Sequence, residues 1–509
     1  MKLVATIGII LQVVQHLSAQ DCLSRNYGNG GTVCVCNSDH CDTIAPIKKL
    51  EGTKYVKFTS NKAGLRFHKE EGSFTKEGSD VKNVITVGTK MFQEIIGFGG
   101  AFSDSTGINI KSLNADLQDK LIRSYFSDEG IEYSVGRVPI GGTDFSIKGY
   151  SYCDTENDTV DLELNNWKLA SADTDYKIPL IKEALKLRNN EFDLLASAWI
   201  APNWMKTKPG FLERQSFIKD EMYQVWANYL VKFLMEYNKQ DISFWGITTG
   251  NEPLTAYLPN KIPSVAWTVD GQKKWIRENF GPTLKNSNFN NTKIIIVDDQ
   301  ILLLPIVPDQ LLADKEVEMY VDGIGIHWYL EIGDFPELLD ITHKNHPNVF
   351  MLATEACNGY VLNDVELGNW YGGESYADNI IKNLNHWVIG WIDWNMALDV
   401  EGGPTFIGNN VDSPIIVNAT AQEFYKQPMY YAMGHFSKFI PKGSVRIESS
   451  QFSKNSDVLD IAFRRPDGGT TVIVLNKAEN DISSTVRDPR KGDITMTLTA
   501  NSITSIVYW

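Results

Sequence analysis

Between residues 95 and 395 the chain alternates short apolar stretches with longer amphipathic ones, eight times over. The apolar stretches are IIGFGGAF (95–102), YSVGRVPI (133–140), DLLASAW (193–199), FWGITTGNEP (244–253), KIIIVDDQ (293–300), DGIGIHWY (322–329), VFMLATEAC (349–357) and GWIDWN (390–395). Between them lie stretches such as MYQVWANYLVKFLMEYNK (222–239), whose apolar residues recur at the three- and four-residue spacing of a helix. Strands alternating with helices over some 300 residues predict an α/β fold, a (β/α)8 barrel. A doubly wound sheet is the rival. It fits less well because chemically loaded residues end at least five different strands, as the single mouth of a barrel requires.

At 509 residues the chain exceeds one ordinary core, so further domains are expected. The texture changes on both sides of the alternating block. Residues 48–94 and 444–509 are rich in Thr, Val and Ile, with turn signals at PDGG (466–469) and NKAEN (476–480), and VLDIAFRR and TTVIVLN have strand lengths. Both chain ends therefore read as all-β and are expected to meet in one sandwich. The start, MKLVATIGIILQVVQHLSAQ, has Lys2, an apolar run and the small pair Ser18-Ala19, which predicts a secretory signal cut after Ala19. No later apolar run is long enough to span a bilayer. The expected division is a signal peptide at 1–19 and a disulfide-stapled β subdomain at 20–47, which 396–428 could join. A β sandwich at 48–94 with 444–509 and a catalytic barrel at 95–443 complete it.

Six cysteines follow the signal, four of them crowded: Cys22, Cys34, Cys36 and Cys41. In an oxidising compartment these read as two disulfides, paired either 22–34 and 36–41 or 22–36 and 34–41. A zinc site is the alternative, weakened by the lack of a matching C-x-x-C or His pair. Cys153 and Cys357 are left as free thiols. Sequons at Asn157, Asn290 and Asn418 agree with a secretory route. A net charge of −15 argues against nucleic-acid binding, which needs basic surface, and against simple docking to anionic membranes at neutral pH. Thirteen Trp suit a groove for carbohydrate, although most Trp rings in any protein are simply core.

Barrel enzymes carry their chemistry at the carboxyl ends of the strands. There the fourth strand presents Asn251-Glu252, held before Pro253, and the seventh presents Glu355. Strands four and seven face each other across a barrel, so two carboxylates can flank one cleft. That is what glycoside hydrolysis needs: one group protonates the leaving oxygen while the other attacks the anomeric carbon or activates water. There is no G-x-S-x-G, H-E-x-x-H or Walker loop, and GFGGAF lacks the third glycine of a dinucleotide site, so it reads as tight packing where the barrel begins. No metal or organic cofactor is called for.

NEP after the fourth strand and EAC after the seventh, together with VCVCN, GFGGAFSD, RVPIGGTDFSI, HWYL, WIDWN, EGGP, NVDSPII, FYKQPMYY and GHFSKFIP, resemble glycoside hydrolase family 30, of clan A. The resemblance covers essentially the whole mature chain. It implies a retaining β-glucosidase that hydrolyses glucosylceramide to glucose and ceramide, with Glu252 as general acid/base and Glu355 as nucleophile. Retention needs the two carboxyls about 5–5.5 Å apart, and Glu252 has to stay protonated, partly through the like charge on Glu355. The resemblance further implies that Asp144 grips the outer glucose hydroxyls and Asn251 bonds the 2-hydroxyl. Trp199 and Trp394 would wall the sugar, Asn409 would add a binding group, and His327 and Tyr329 would orient the nucleophile. Asp298, Asp299 and Asp393 are read as hydrogen-bonded support of the rim. A core histidine and a core ring are the plain alternatives for His327 and Trp394.

Several positions depart from the family pattern. Asn410 stands where an aromatic is usual, LTAYLPNKIPSVAW after Pro253 differs in sequence and is about one residue shorter, and Asn37-Ser-Asp is not a sequon. These rim differences bear on the aglycone. The resemblance implies a lipid substrate at a membrane or micelle surface, a saposin-like activator and a lysosomal destination. The competing expectations are a secreted enzyme acting on non-lipid β-glucosides or a β-glucan, and an inactive sugar-binding protein.

Overall fold

The structure, a computed structural model, describes residues 21–509 apart from 77, 79–82, 260–261, 331–334, 362–363 and 451–456. The expected signal peptide lies outside the described residues. Eight parallel strands close into a barrel: β1 (Gly97–Ala101), β2 (Val135–Ile140), β3 (Asp193–Ala198), β4 (Gly246–Thr248), β5 (Lys293–Gln300), β6 (Val321–His327), β7 (Phe350–Glu355) and β8 (Val388–Asn395). Each falls within one of the eight expected stretches or overlaps it. The ring closes where β8 pairs with β1, Trp391 opposite Phe98. The glycines of β1 serve close packing, as the sequence suggests: a Cβ on Gly99 would stand 1.6 Å from the Val135 carbonyl oxygen.

Inside the barrel, Val135, Leu195, Ile295, Leu352, Ile389 and Ile392 pack into an apolar plug. The plug seals the amino-terminal end and leaves the polar groups to the carboxyl-terminal mouth. Outside, the helix Tyr223–Asn238 buries Trp226, Tyr229, Leu230, Phe233, Leu234 and Tyr237, the face that its apolar periodicity marks out.

Both chain ends build a nine-stranded sheet in the order Gly492–Leu498, Ile482–Asp488, Val84–Glu94, Val445–Ser449, Val458–Arg464, Thr470–Asn476, Ser502–Tyr508, Lys54–Asn61 and His68–Ser73. Thr470–Asn476 shows why TTVIVLN is apolar throughout. Val472 and Val474 enter the sandwich's own core, while Ile473 and Leu475 join the large core shared with the barrel. At that seam His435, on the helix Pro428–Ser437, is held between the hydroxyls of Ser505 (2.8 Å) and Ser60 (2.9 Å). Burial without a charged neighbour pushes its ring down to about 3, so it is neutral.

A third, five-stranded sheet joins Ser24–Arg25 and Val33–Cys36 to Glu423–Lys426, Ile415–Asn418 and Ala397–Asp399. Disulfides link Cys22 to Cys34 and Cys36 to Cys41, which resolves the pairing that the sequence leaves open; Cys153 and Cys357 are free and buried. Val33, Val35, Ile416 and Tyr425 of this sheet pack in one cluster with Trp199, Trp394 and Val411. The stapled sheet thereby buttresses one wall of the barrel mouth.

Candidate active site

β2 carries Arg137 in the middle of an otherwise apolar strand, fully buried. A buried guanidinium has to be paired, and this one is paired widely. Nη1 donates to Glu355 Oε2, and Nη2 donates to Asn251 Oδ1 (2.8 Å) and Asp298 Oδ2 (2.7 Å). Its face lies 4.6 Å from the Trp199 ring, which stacks on Trp394 with centroids 4.9 Å apart. One cation thus ties strands β2, β5 and β7 to the loop after β4.

After β4 the chain turns at Gly250 (φ 130°) and sets Glu252 in the left-handed region (φ 43°). Such backbone is costly for a non-glycine residue and is kept where surrounding bonds over-determine it. Here Asn251 N–H donates to the Ala198 carbonyl and Glu252 N–H to the Asp298 carbonyl, both at 2.9 Å. The Glu252 carboxyl meets three partners. Gln300 Nε2 donates to Oε1 (2.9 Å), His327 Nδ1 lies 2.8 Å from the same oxygen, and Thr255 Oγ1 donates to Oε2 (2.8 Å).

Glu355, at the end of β7, accepts from Arg137 and from the Tyr329 hydroxyl (2.9 Å on Oε1). Burial and the like charge of Glu252 push its carboxyl above the usual range, while His327, Arg137 and Tyr329 pull it back. Glu252, His327 and Glu355 each offer an atom within 4.8 Å of the others. Oxygen to oxygen, the two carboxylates thus meet the close spacing of a retaining pair and not the wider gap of about 6.5–9.5 Å that an inverting enzyme leaves for water.

Both glutamates line one cavity of about 220 Å³. Its lining is chemically mixed. Asp144, Trp199, Asn251, Trp394, Asn409 and Tyr360 are polar or aromatic, and Leu258, Ile262, Leu330 and Val411 are aliphatic. Asp144 accepts from Asn409 Nδ2 (2.9 Å), and burial, then the charge of Glu355, lifts it to about 7. Asn251 Oδ1 is taken by Arg137, and its Nδ2 is buried without a hydrogen-bond partner. That orphaned donor belongs to a residue lining the cavity, so a bound hydroxyl could satisfy it.

The structure gathers every expected catalytic and sugar-binding residue at this mouth, with one change of partner and, among the supports, one change of place. His327, expected to orient Glu355, bonds Glu252 and, through Nε2, Asp298 Oδ1 (3.1 Å); its Nδ1 stands 4.0 Å from Glu355. Tyr329 does bond Glu355. Asp298, expected at the rim, is instead fully buried under the cavity, bonded to Arg137, His327 and Ser197. Despite burial, Arg137 and His327 hold its carboxyl far below the ordinary range. Asp299 accepts from the backbone N–H groups of Leu254 and Gln300, and Asp393 from the Tyr376 hydroxyl, as supports do.

Sequence reasoning passed over Arg137, Gln300 and Cys357. The first had a signal: a charge inside an apolar barrel strand. Gln300 ends β5 and bridges Glu252 to Leu330 N–H (3.1 Å). Cys357, read as a spare thiol, lines the cavity 3.5 Å from the Tyr329 hydroxyl.

Residues 95–440 match the family model described as the glycosyl hydrolase family 30 TIM-barrel domain, and residues 443–506 match the one described as the glycosyl hydrolase family 30 beta sandwich domain. The chain is 41% identical over 484 residues to a Mus musculus protein named lysosomal acid glucosylceramidase, covering 93% of each. It is also similar to the crystal structure of SrfJ from Salmonella typhimurium, with a TM-score of 0.82 and 26% identity over 89% of this chain and 99% of that one. An endo-β1,6-glucanase structure matches with a TM-score of 0.78 and 25% identity, over 90% of this chain and 100% of the other.

Proposed function

The chain belongs to glycosyl hydrolase family 30, and from that premise we propose that it cleaves glucosylceramide to glucose and ceramide through a covalent glucosyl-enzyme. It is a glycoside hydrolase of a retaining family. In this reading Glu355 attacks the anomeric carbon while Glu252 protonates the leaving oxygen, and Glu252 then takes the proton from the water that frees the sugar. Asp144 and Asn409 hold the outer hydroxyls. The orphaned Nδ2 of Asn251 donates to the 2-hydroxyl, and Trp199 and Trp394 flank the ring.

The observation that carries the lipid reading is the aliphatic share of the cavity lining. Leu258, Ile262, Leu330 and Val411 offer a glucan no hydroxyl partner and suit the apolar part of a ceramide. A membrane or micelle surface, a saposin-like activator and a lysosomal destination belong to the same reading, as do glycans on Asn157, Asn290 and Asn418. Among the described residues no helix is long and apolar enough to cross a membrane. Turnover of glucosylceramide in detergent, compared with soluble β-1,6-gluco-oligosaccharides, tests the substrate. Preference for the lipid is expected; a strong preference for the oligosaccharides overturns it.

A further inference from the structure

We propose that His327 is the fixed counter-ion for the one negative charge that moves between Glu355 and Glu252 during the reaction, and that with Gln300 it confines the transferable proton of Glu252 to Oε2. The role rests on the assignment of these two glutamates as nucleophile and acid/base.

The geometry fixes the donors one by one. Gln300 Oε1 accepts from Leu330 N–H, so its amide cannot turn over, and Nε2 must donate to Glu252 Oε1. Asp298 accepts from Arg137 and Ser197 on Oδ2, which leaves Oδ1 to receive the His327 Nε2 proton. His327 Nδ1 points at Glu252 Oε1 from 2.8 Å and stands 4.0 Å from Glu355 Oε1. Both fixed N–H donors thus sit on Oε1, and the acid proton falls to Oε2, whose one neighbour among these bonds is the Thr255 hydroxyl (2.8 Å), a rotor that donates to the carboxylate and can turn to accept from the acid.

The ring faces Glu252 after β4, Asp298 and Asp299 on β5 and Glu355 on β7, and Arg137 on β2 shares Asp298 and Glu355 with it. Burial works against its charge. Glu355, Asp298 and Glu252 outweigh burial and lift the ring to about 10. In the first step a Glu355 oxygen forms a bond to the anomeric carbon, the glycosidic bond breaks, and the Oε2 proton passes to the leaving oxygen. Negative charge leaves Glu355 and arrives on Glu252. In the second step Glu252 takes a proton from water, the water oxygen bonds the anomeric carbon, the ester breaks, and the charge returns. A cation lodged between the two carboxylates stays paired throughout and need not release its own proton.

The test uses the intact protein with ¹⁵N-labelled histidine, free and after covalent trapping with a 2-deoxy-2-fluoroglucoside. An imidazolium signal for His327 in both states up to about pH 8 is expected. A neutral ring in either state overturns the counter-ion role, and failure to trap Glu355 overturns the glutamate assignment with it. His327→Gln gives a second readout. His327 holds the Glu355 carboxyl down, so its loss should move the acid limb of the pH profile of kcat/KM up by about one unit. A slower enzyme with that limb in place would mean that His327 is structural only.

Discussion

At the barrel mouth, His327 stands among Glu252, Asp298 and Glu355; at the seam between barrel and sandwich, His435 stands between Ser60 and Ser505. Both side chains are buried, yet the first is lifted to about 10 and the second pushed down to about 3. Burial alone disfavours the charged ring in both places. What differs is the company: three carboxylates in one case, two neutral hydroxyls in the other. The mouth concentrates charge that must be balanced residue by residue, while the seam is an apolar contact with a few satisfied polar groups. Changes at the first should cost rate, and changes at the second should cost stability.

Glu355→Gln should break the mouth most completely. Turnover should fall by at least about 1,000-fold, with no label from a mechanism-based glucoside and with the melting temperature nearly kept. Loss of folding instead would place Glu355 with the structural residues. Glu252→Gln should lower turnover of the lipid on the order of 100-fold and spare aryl glucosides, whose leaving groups need little protonation. Equal losses on the two substrates would contradict its acid role.

Arg137→Leu crosses the boundary between the regions, because it strips partners from Glu355, Asn251 and Asp298 at once. A stability loss of about 3–5 kcal/mol in urea melts, alongside lost activity, is expected for breaking a buried ion network from one side. Leu258→Asp, in the aliphatic part of the cavity lining, should lower lipid turnover about tenfold, near 1.4 kcal/mol, and leave aryl glucosides unchanged.

His435→Phe sharpens the contrast from the other side. It removes the ring partner from two buried hydroxyls, leaving Ser60 with the Phe67 N–H and Ser505 with the backbone carbonyl of residue 435, and should cost about 1 kcal/mol at pH 7.5 without altering kcat. The folded ring titrates near 3 and an unfolded one near 6.5, so the unfolded chain binds the extra proton between those values. Wild-type stability from His435 is therefore present above about pH 6.5 and lost as pH falls toward 3. Phe has no such loss, so the deficit should narrow in melts taken at pH 4.5. His327 works in the opposite sense: its contribution is full below about pH 6.5 and fades as pH rises toward 10.

The barrel strands were legible because each is a short apolar run at a spacing that only repeated strand–helix units give. Glu252 and Glu355 were legible because strand ends on opposite sides of a barrel are where a carboxylate pair becomes useful. The internal wiring was not. Asp298 reaches the centre because Val297 and Asp298 both take left-handed backbone (φ 70° and 49°) beside a register shift between β5 and β6. No pattern in KIIIVDDQ announces a bulge that holds a β-branched residue there. His327 changed partner for a related reason. A register shift sets it opposite Glu355 in the β6–β7 ladder, while its ring turns to Glu252, a residue that the left-handed turn after β4 carries inward. Arg137 could have been found, since a charge amid VGRVPI has to be answered by other charges inside the barrel.

The most direct measurement is the anomer of glucose at the moment of release, followed by NMR during hydrolysis of glucosylceramide. Two carboxylates within 4.8 Å of each other across one cavity call for two inversions at the anomeric carbon. Glucose that appears first as the β form, then mutarotates, is the expected result; glucose that appears first as the α form would contradict the double displacement through Glu355.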